Sequence, residues 1–172
     1  LRILPAGMTE NKHDHIDLIF TDGTCLRYTD PRRFGLFVYS PDNLMDHPLL
    51  NSLGPEPLSD SFSGETLHRL SRGKMQPIKA FIMDQKVVVG VGNIYANEAL
   101  FRAGIHPARA AGRIGRKRYQ GLVIAIKEVL RAAIGAGGTT INDFANSEGQ
   151  PGYFRQELLV YGRSSAPCRH CG

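Results

Sequence analysis

Between His15 and Tyr28, apolar and polar positions follow the period of two that an extended chain requires. Ile16, Leu18 and Phe20 are interleaved with Asp17 and Ile19, Asp22-Gly23 supplies a two-residue turn, and Cys25, Leu26 and Tyr28 resume the pattern. This predicts a β-hairpin. Leu1 to Leu4 and Leu36 to Tyr39 read as further strands. Residues 41–63, rich in Pro, Asp and Ser and holding Gly54-Pro55-Glu56-Pro57, cannot be regular structure and are expected to be a linker. Beyond it the period becomes helical. Short helices are predicted over Gly64 to Leu70 and Ile78 to Met83. Gly115 to Ile134 is the longest, with Tyr119, Leu122, Val123, Ile126, Val129, Leu130, Ala133 and Ile134 in one apolar stripe that belongs in a core. A long loop of small residues, 137–152, then leads into an extended Tyr153 to Tyr161. The fold class expected is α+β.

The stretch from Val87 to Pro107 organises the helical part. Val87 to Val89 meets Gly90 and Gly92, and Asn93 has the chemistry of an N-cap for a helix from Ile94 to Ala103. Gly104 is its expected left-handed stop, and Pro107 forbids simple continuation. Glycines admit a second backbone, and a helix start offers unpaired amides with partial positive charge, so a phosphate can sit there. The competing reading is an ordinary turn into a capped helix. Gly90-x-Gly92 is not the dinucleotide fingerprint, since position 95 is Tyr, and no Gly-Lys-Ser/Thr phosphate loop is present.

Charge sharpens this picture. The net charge of +5 is unevenly spread: residues 1–65 carry 5 Lys/Arg against 10 Asp/Glu, and residues 66–172 carry 16 against 6. Residues 102–131 hold eight basic side chains and a single acid, Glu128. That imbalance is the footprint of a polyanion binder, above all nucleic acid. No apolar run approaches the ~20 residues that span a bilayer, and no signal peptide is visible, so the expectation is a cytoplasmic protein. Three cysteines do not make a disulfide framework. Cys168 and Cys171, flanked by Pro167 and enclosing Arg169-His170, have the spacing of half a four-cysteine zinc site. The alternatives are two free thiols or a redox pair.

Thr29-Asp30-Pro31-Arg32-Arg33-Phe34-Gly35 carries a second chemical signal. Asp-Pro imposes a turn that puts Arg32 and Phe34 at a loop tip. In a nucleic-acid binder such a tip acts as a wedge, the ring entering the base stack while the guanidinium meets a base edge. The opposing expectation is that Phe34 tucks into the core and Arg32 pairs with Asp30.

Taken in order, His13 before a hairpin, the Arg-Arg-Phe loop, the Gly-Val-Gly-Asn helix, Gly137-Gly138-Thr139-Thr140 and Val160-Tyr161-Gly162-Arg163 before Cys-x-x-Cys resemble the formamidopyrimidine-DNA glycosylase family across essentially the whole chain. It is closer to that branch than to endonuclease VIII, which as a rule lacks the Asp-Pro-Arg-Arg-Phe-Gly loop. The resemblance implies the later part of a β-sandwich domain in residues 1–55, a helix-two-turn-helix domain in 56–155 and the first half of a zinc finger in 156–172. It implies DNA contacts at His13, Arg32, Phe34, Lys74, Asn93 and Tyr161, with Arg32 facing the orphaned cytosine and Phe34 wedging beside it. It also implies a lesion-capping loop at Thr139, Thr140, Ile141, Asn142, Asp143 and Phe144, and Zn2+ on Cys168 and Cys171. The partner is damaged double-stranded DNA, bound by a monomer in a bacterial cytoplasm at the nucleoid. The activity implied is excision of 8-oxoguanine and formamidopyrimidines by base flipping, Schiff-base formation and β,δ-elimination.

The family's nucleophile is an N-terminal proline amine followed by acid/base glutamates, and these, its catalytic lysine and its second cysteine pair are not found here. The chain is therefore expected to be an internal fragment with no catalytic residue of its own. A non-enzymatic DNA-binding module, an endonuclease VIII-like glycosylase for oxidised pyrimidines and an RNA-binding zinc ribbon are the rival readings.

Overall fold

The computed structural model describes residues 1–41, 43–138, 154 and 158–172. The chain divides into two compact units, one from Leu1–Pro41 with Ala136–Arg155, the other from Asp42–Gly135 with Gln156–Gly172.

The first unit is built on a three-stranded antiparallel sheet of β1 (Arg2–Pro5), β2 (Asp14–Ile19) and β3 (Thr24–Thr29), ordered β1-β3-β2. The hairpin read from the alternation is β2–β3, turning at Asp22-Gly23, where the Asp22 carboxylate accepts the Thr24 amide at 2.9 Å. Arg27 departs from simple alternation. It is buried, and it stands opposite Asp17 in the register. Its Nε and Nη2 grip that carboxylate at 2.8 and 2.7 Å, while Nη1 and Nη2 donate to the carbonyls of Thr9 and Met8. A buried guanidinium is tolerable only when its donors are satisfied in this way. The strand expected over Leu36 to Tyr39 does not form. These residues are irregular and exposed, and no described segment pairs with them. Side chains suited to a strand do not make one without a neighbouring ladder.

The second unit is helical: α1 (Gly64–Ser71), α2 (Ile78–Met83), α3 (Asn93–Arg102) and α4 (Arg116–Gly135), with single 3-10 turns at Leu44–Asp46 and Ala111–Arg113. The α4 stripe is buried from Tyr119 to Ala133, but Ile134 is exposed on the last turn. Tyr119 anchors the core, its hydroxyl donating to the Ala111 carbonyl at 2.9 Å. Segment 54–57 is irregular as expected, yet it is not a loose linker: the Gly54 amide donates to the Gln85 carbonyl at 2.7 Å and the Val89 amide to the Pro55 carbonyl. Between α2 and α3 lie two successive turns, the first closed by Val87 N–H on the Asp84 carbonyl at 2.8 Å. The second passes through Gly90, whose φ of 73° is left-handed. Residues 158–161 are bends and turns rather than extended chain.

Candidate nucleic-acid interface

In the first unit, Asp30 follows directly on β3 and organises the tip. Its Oδ1 accepts the amides of Arg32 and Arg33 at 3.1 and 3.0 Å; Oδ2 accepts the Gly35 amide at 2.8 Å and the Tyr28 hydroxyl at 3.1 Å. These donors, the Gly35 amide foremost, hold the Asp30 carboxyl below its ordinary value against the opposing effect of burial. A side chain at position 35 would displace the Tyr28 hydroxyl from its place beside Asp30, so glycine suits the position. Arg33 takes a left-handed φ of 55° to complete the bend. The base of the loop is fixed too. The Asp30 amide donates to the His13 carbonyl at 3.0 Å, and the His15 ring donates to the Asp30 carbonyl at 3.0 Å. His13 therefore sits at the root of the loop, half-buried.

On this frame Phe34 is 79% exposed and the Arg32 guanidinium lies 4.7 Å from its ring centroid. Neither opposing expectation holds: Phe34 does not enter the core, and Asp30 takes the backbone amide of Arg32. The result is a cation over an aromatic ring, presented to solvent on a turn braced by Asp30.

In the second unit, Asn93 is the first residue of α3 and exposed. The N-cap is Gly92, not Asn93, and no side chain caps the helix start. The amides of a helix's first turn have no intrahelical acceptors, so an uncapped start is suited to an anion. Lys74 is exposed on the turn after α1. Its amide donates to the Ser71 carbonyl at 2.9 Å and its carbonyl accepts the Gly112 amide at 2.8 Å. A Cβ at 112 would come within 2.9 Å of that carbonyl, so glycine permits the clasp. Tyr161 is half-buried, with its amide on Glu98 Oε1 at 2.9 Å. Much of the basic surface of α4 is engaged within the unit: Arg116 pairs with Glu65, Arg118 donates to the Gly104 carbonyl and Lys127 to that of Ser59.

Cys168 and Cys171 share one turn, closed by the Gly172 amide on the Cys168 carbonyl at 3.0 Å. The His170 amide points at Cys168 Sγ at 3.4 Å and is the leading cause that lowers this thiol's pKa; the Cys171 amide and thiol and the Arg163 charge act in the same direction. Its neighbour Cys171 is pushed up in consequence. A thiol eased towards ionisation by an amide donor, beside a second thiol on the same turn, has the chemistry of half a tetrahedral zinc site. No cluster of three or more metal-ligating side chains occurs among the described residues. The expected lesion loop, Thr139 to Phe144, lies outside them. The sequence reading missed the side chain of Asp30 as the organiser of the tip, the Gly112 clasp and Glu98. Asp-x-Arg-x-Phe-Gly turn chemistry was a usable signal for the first; nothing local marked the second.

A helix, two turns and a second helix with an uncapped start, followed by a Cys-x-x-Cys turn, define a protein of the helix-two-turn-helix class. Residues 53–145 match the formamidopyrimidine-DNA glycosylase H2TH domain. The chain belongs to the formamidopyrimidine-DNA glycosylase family. It is similar to the formamidopyrimidine-DNA glycosylase of Pseudomonas putida, with 59% identity over 100% of this chain and 63% of that protein. Among solved structures it resembles the Fpg protein of Thermus thermophilus, with TM-score 0.84, 39% identity, 95% of this chain and 62% of that one. It also resembles a Lactococcus lactis Fpg mutant in complex with Fapy-dG containing DNA, with TM-score 0.87, 32% identity, 99% of this chain and 63% of that one. The chain spans about 64% of the length of the first curated relatives it matches.

Proposed function

We propose that this chain is the DNA-holding part of a base-excision repair glycosylase that acts on damaged duplex DNA. The carrying observation is the exposed Phe34 ring, with the Arg32 guanidinium over it, on a loop whose backbone is tied by Asp30 at three amides. What singles this ring out from other exposed apolar side chains is the guanidinium over it and the braced turn beneath it, a combination suited to filling a gap between unstacked bases. Asn93 and Lys74 are assigned to phosphates, with His13 and Tyr161 as further contacts to the DNA backbone. The lesion loop is assigned to Thr139 through Phe144.

In the whole protein the reading is removal of 8-oxoguanine and formamidopyrimidines, flipped from the duplex because the glycosidic carbon is out of reach in the stack. A Schiff base and β,δ-elimination would follow, and none of the 172 residues is assigned to that chemical step. Cys168 and Cys171 are two of the ligands proposed for a structural zinc. The ion, when bound, supplies folding free energy by cross-linking its turn.

The test is fluorescence anisotropy on three labelled targets: a duplex with an abasic-site analogue opposite cytosine, the matched undamaged duplex, and double-stranded RNA. Binding should be tightest to the damaged duplex and fall steeply with added salt. Equal or tighter binding to RNA would favour the zinc-ribbon reading and overturn this one.

A further inference from the structure

Glu98 has no part in the DNA reading, yet it is fully buried in α3 beside Ala99 and Leu100. Its Oε2 accepts the Leu159 amide at 2.8 Å, and its Oε1 accepts those of Val160 and Tyr161 at 3.0 and 2.9 Å. Three consecutive amides converging on one carboxylate make an anion nest whose anion is a side chain of the same chain. Apolar packing at this position would be met by leucine without the desolvation that a buried carboxylate suffers. What the acid adds is a defined place for residues 159–161.

Hydrogen bonds continue from that place. The Arg163 amide donates to the Val160 carbonyl at 3.2 Å, and its guanidinium donates to the Pro167 carbonyl at 2.9 Å, immediately before Cys168. On the helix side, Asn97 donates to the Asn93 side chain at 3.4 Å. A groove of about 1210 Å³ is lined by Asn97 on one wall and by Tyr161, Arg163 and Cys168 on the other.

We infer that Glu98 is a positioning residue: it fixes the backbone of 159–161 against α3 and so sets Tyr161 and the cysteine turn relative to Asn93. The inference rests on the proposed DNA reading for the roles of Tyr161 and Asn93; the anchor itself does not. Hydrogen exchange on the unmodified chain tests the anchor first. The amides of Leu159, Val160 and Tyr161 should exchange at least about 100-fold more slowly than unstructured amides. Exchange as fast as an open loop overturns the inference, whatever any variant does.

The second measurement is a double-mutant cycle on the abasic-analogue duplex. In Glu98→Gln an amino group replaces one acceptor and opposes a buried N–H, so affinity should fall about ten-fold. The loss caused by Tyr161→Phe should vanish in the Glu98→Gln background, while the loss caused by Asn93→Ala persists there. Losses from Glu98→Gln and Tyr161→Phe that simply add would overturn the positioning role. Protected amides in a chain that binds no duplex would uphold the anchor and overturn the DNA reading instead.

Discussion

Arg32 and Phe34 touch each other, but their value in binding differs in kind. The ring is insensitive to sequence, since every base has a face to stack on. The guanidinium presents donors in a fixed fork and can match the edge of one base. Arg32→Ala should therefore weaken binding by ~1–3 kcal/mol chiefly when cytosine stands opposite the lesion. Titrations against all four opposing bases check this, and an equal loss opposite each would reduce Arg32 to a backbone contact. The turn was legible in the sequence, because Asp-Pro imposes one; whether its ring would face water or the core was not. What fixes the turn was not legible: four donors reach the Asp30 carboxylate only once β3 has placed Tyr28 beside it.

At the scale of elements, period and capping account for the helices well. The bounds of α2 are those the sequence predicts, and α4 follows its apolar stripe to Ala133. Departures occur where a neighbour decides. Leu36 to Tyr39 has strand chemistry but no paired segment among the described residues. Asn93 has cap chemistry, but Gly92 takes the cap position and leaves the Asn93 side chain exposed on the first turn of α3. An Asn there serves the helix poorly, since Ala has the better propensity by a few tenths of a kcal/mol or more. Asn93→Ala should thus leave thermal stability unchanged or slightly raised while weakening DNA binding. Being a neutral contact, it should not alter the slope of log affinity against log salt. Lys74→Ala should lower that slope by about 1, for one phosphate no longer neutralised. Identical slopes for Lys74→Ala and the unmodified chain would remove Lys74 from the phosphate contacts.

Across the whole molecule, the charge contrast seen in the sequence has two different meanings. In the second unit part of the positive excess on α4 is taken up by one ion pair, to Glu65 of α1, and by two backbone carbonyls, of Gly104 and Ser59, so net charge overstates the surface offered to DNA. In the first unit the acids are structural. The Asp14 carboxyl is held down at about 2, first by the Thr29 hydroxyl, then by the Asn11 amide and the Arg2 charge, against desolvation. Asp17, Asp22 and Asp30 are lowered as well. A carboxylate depressed in the native state stabilises it fully above the unfolded value of about 3.9, and the benefit disappears as pH falls towards the native value. Exchange of the β2 and β3 amides, corrected for intrinsic rates, should therefore accelerate between pH 4 and pH 2. Unchanged protection over that interval would mean these contacts contribute little. No described helix is long and apolar enough to cross a membrane.

The carboxylate of Glu98 meets the chain again 61 to 63 residues further along. The far terminus therefore keeps its register through side-chain chemistry on an earlier helix and not through chain continuity alone.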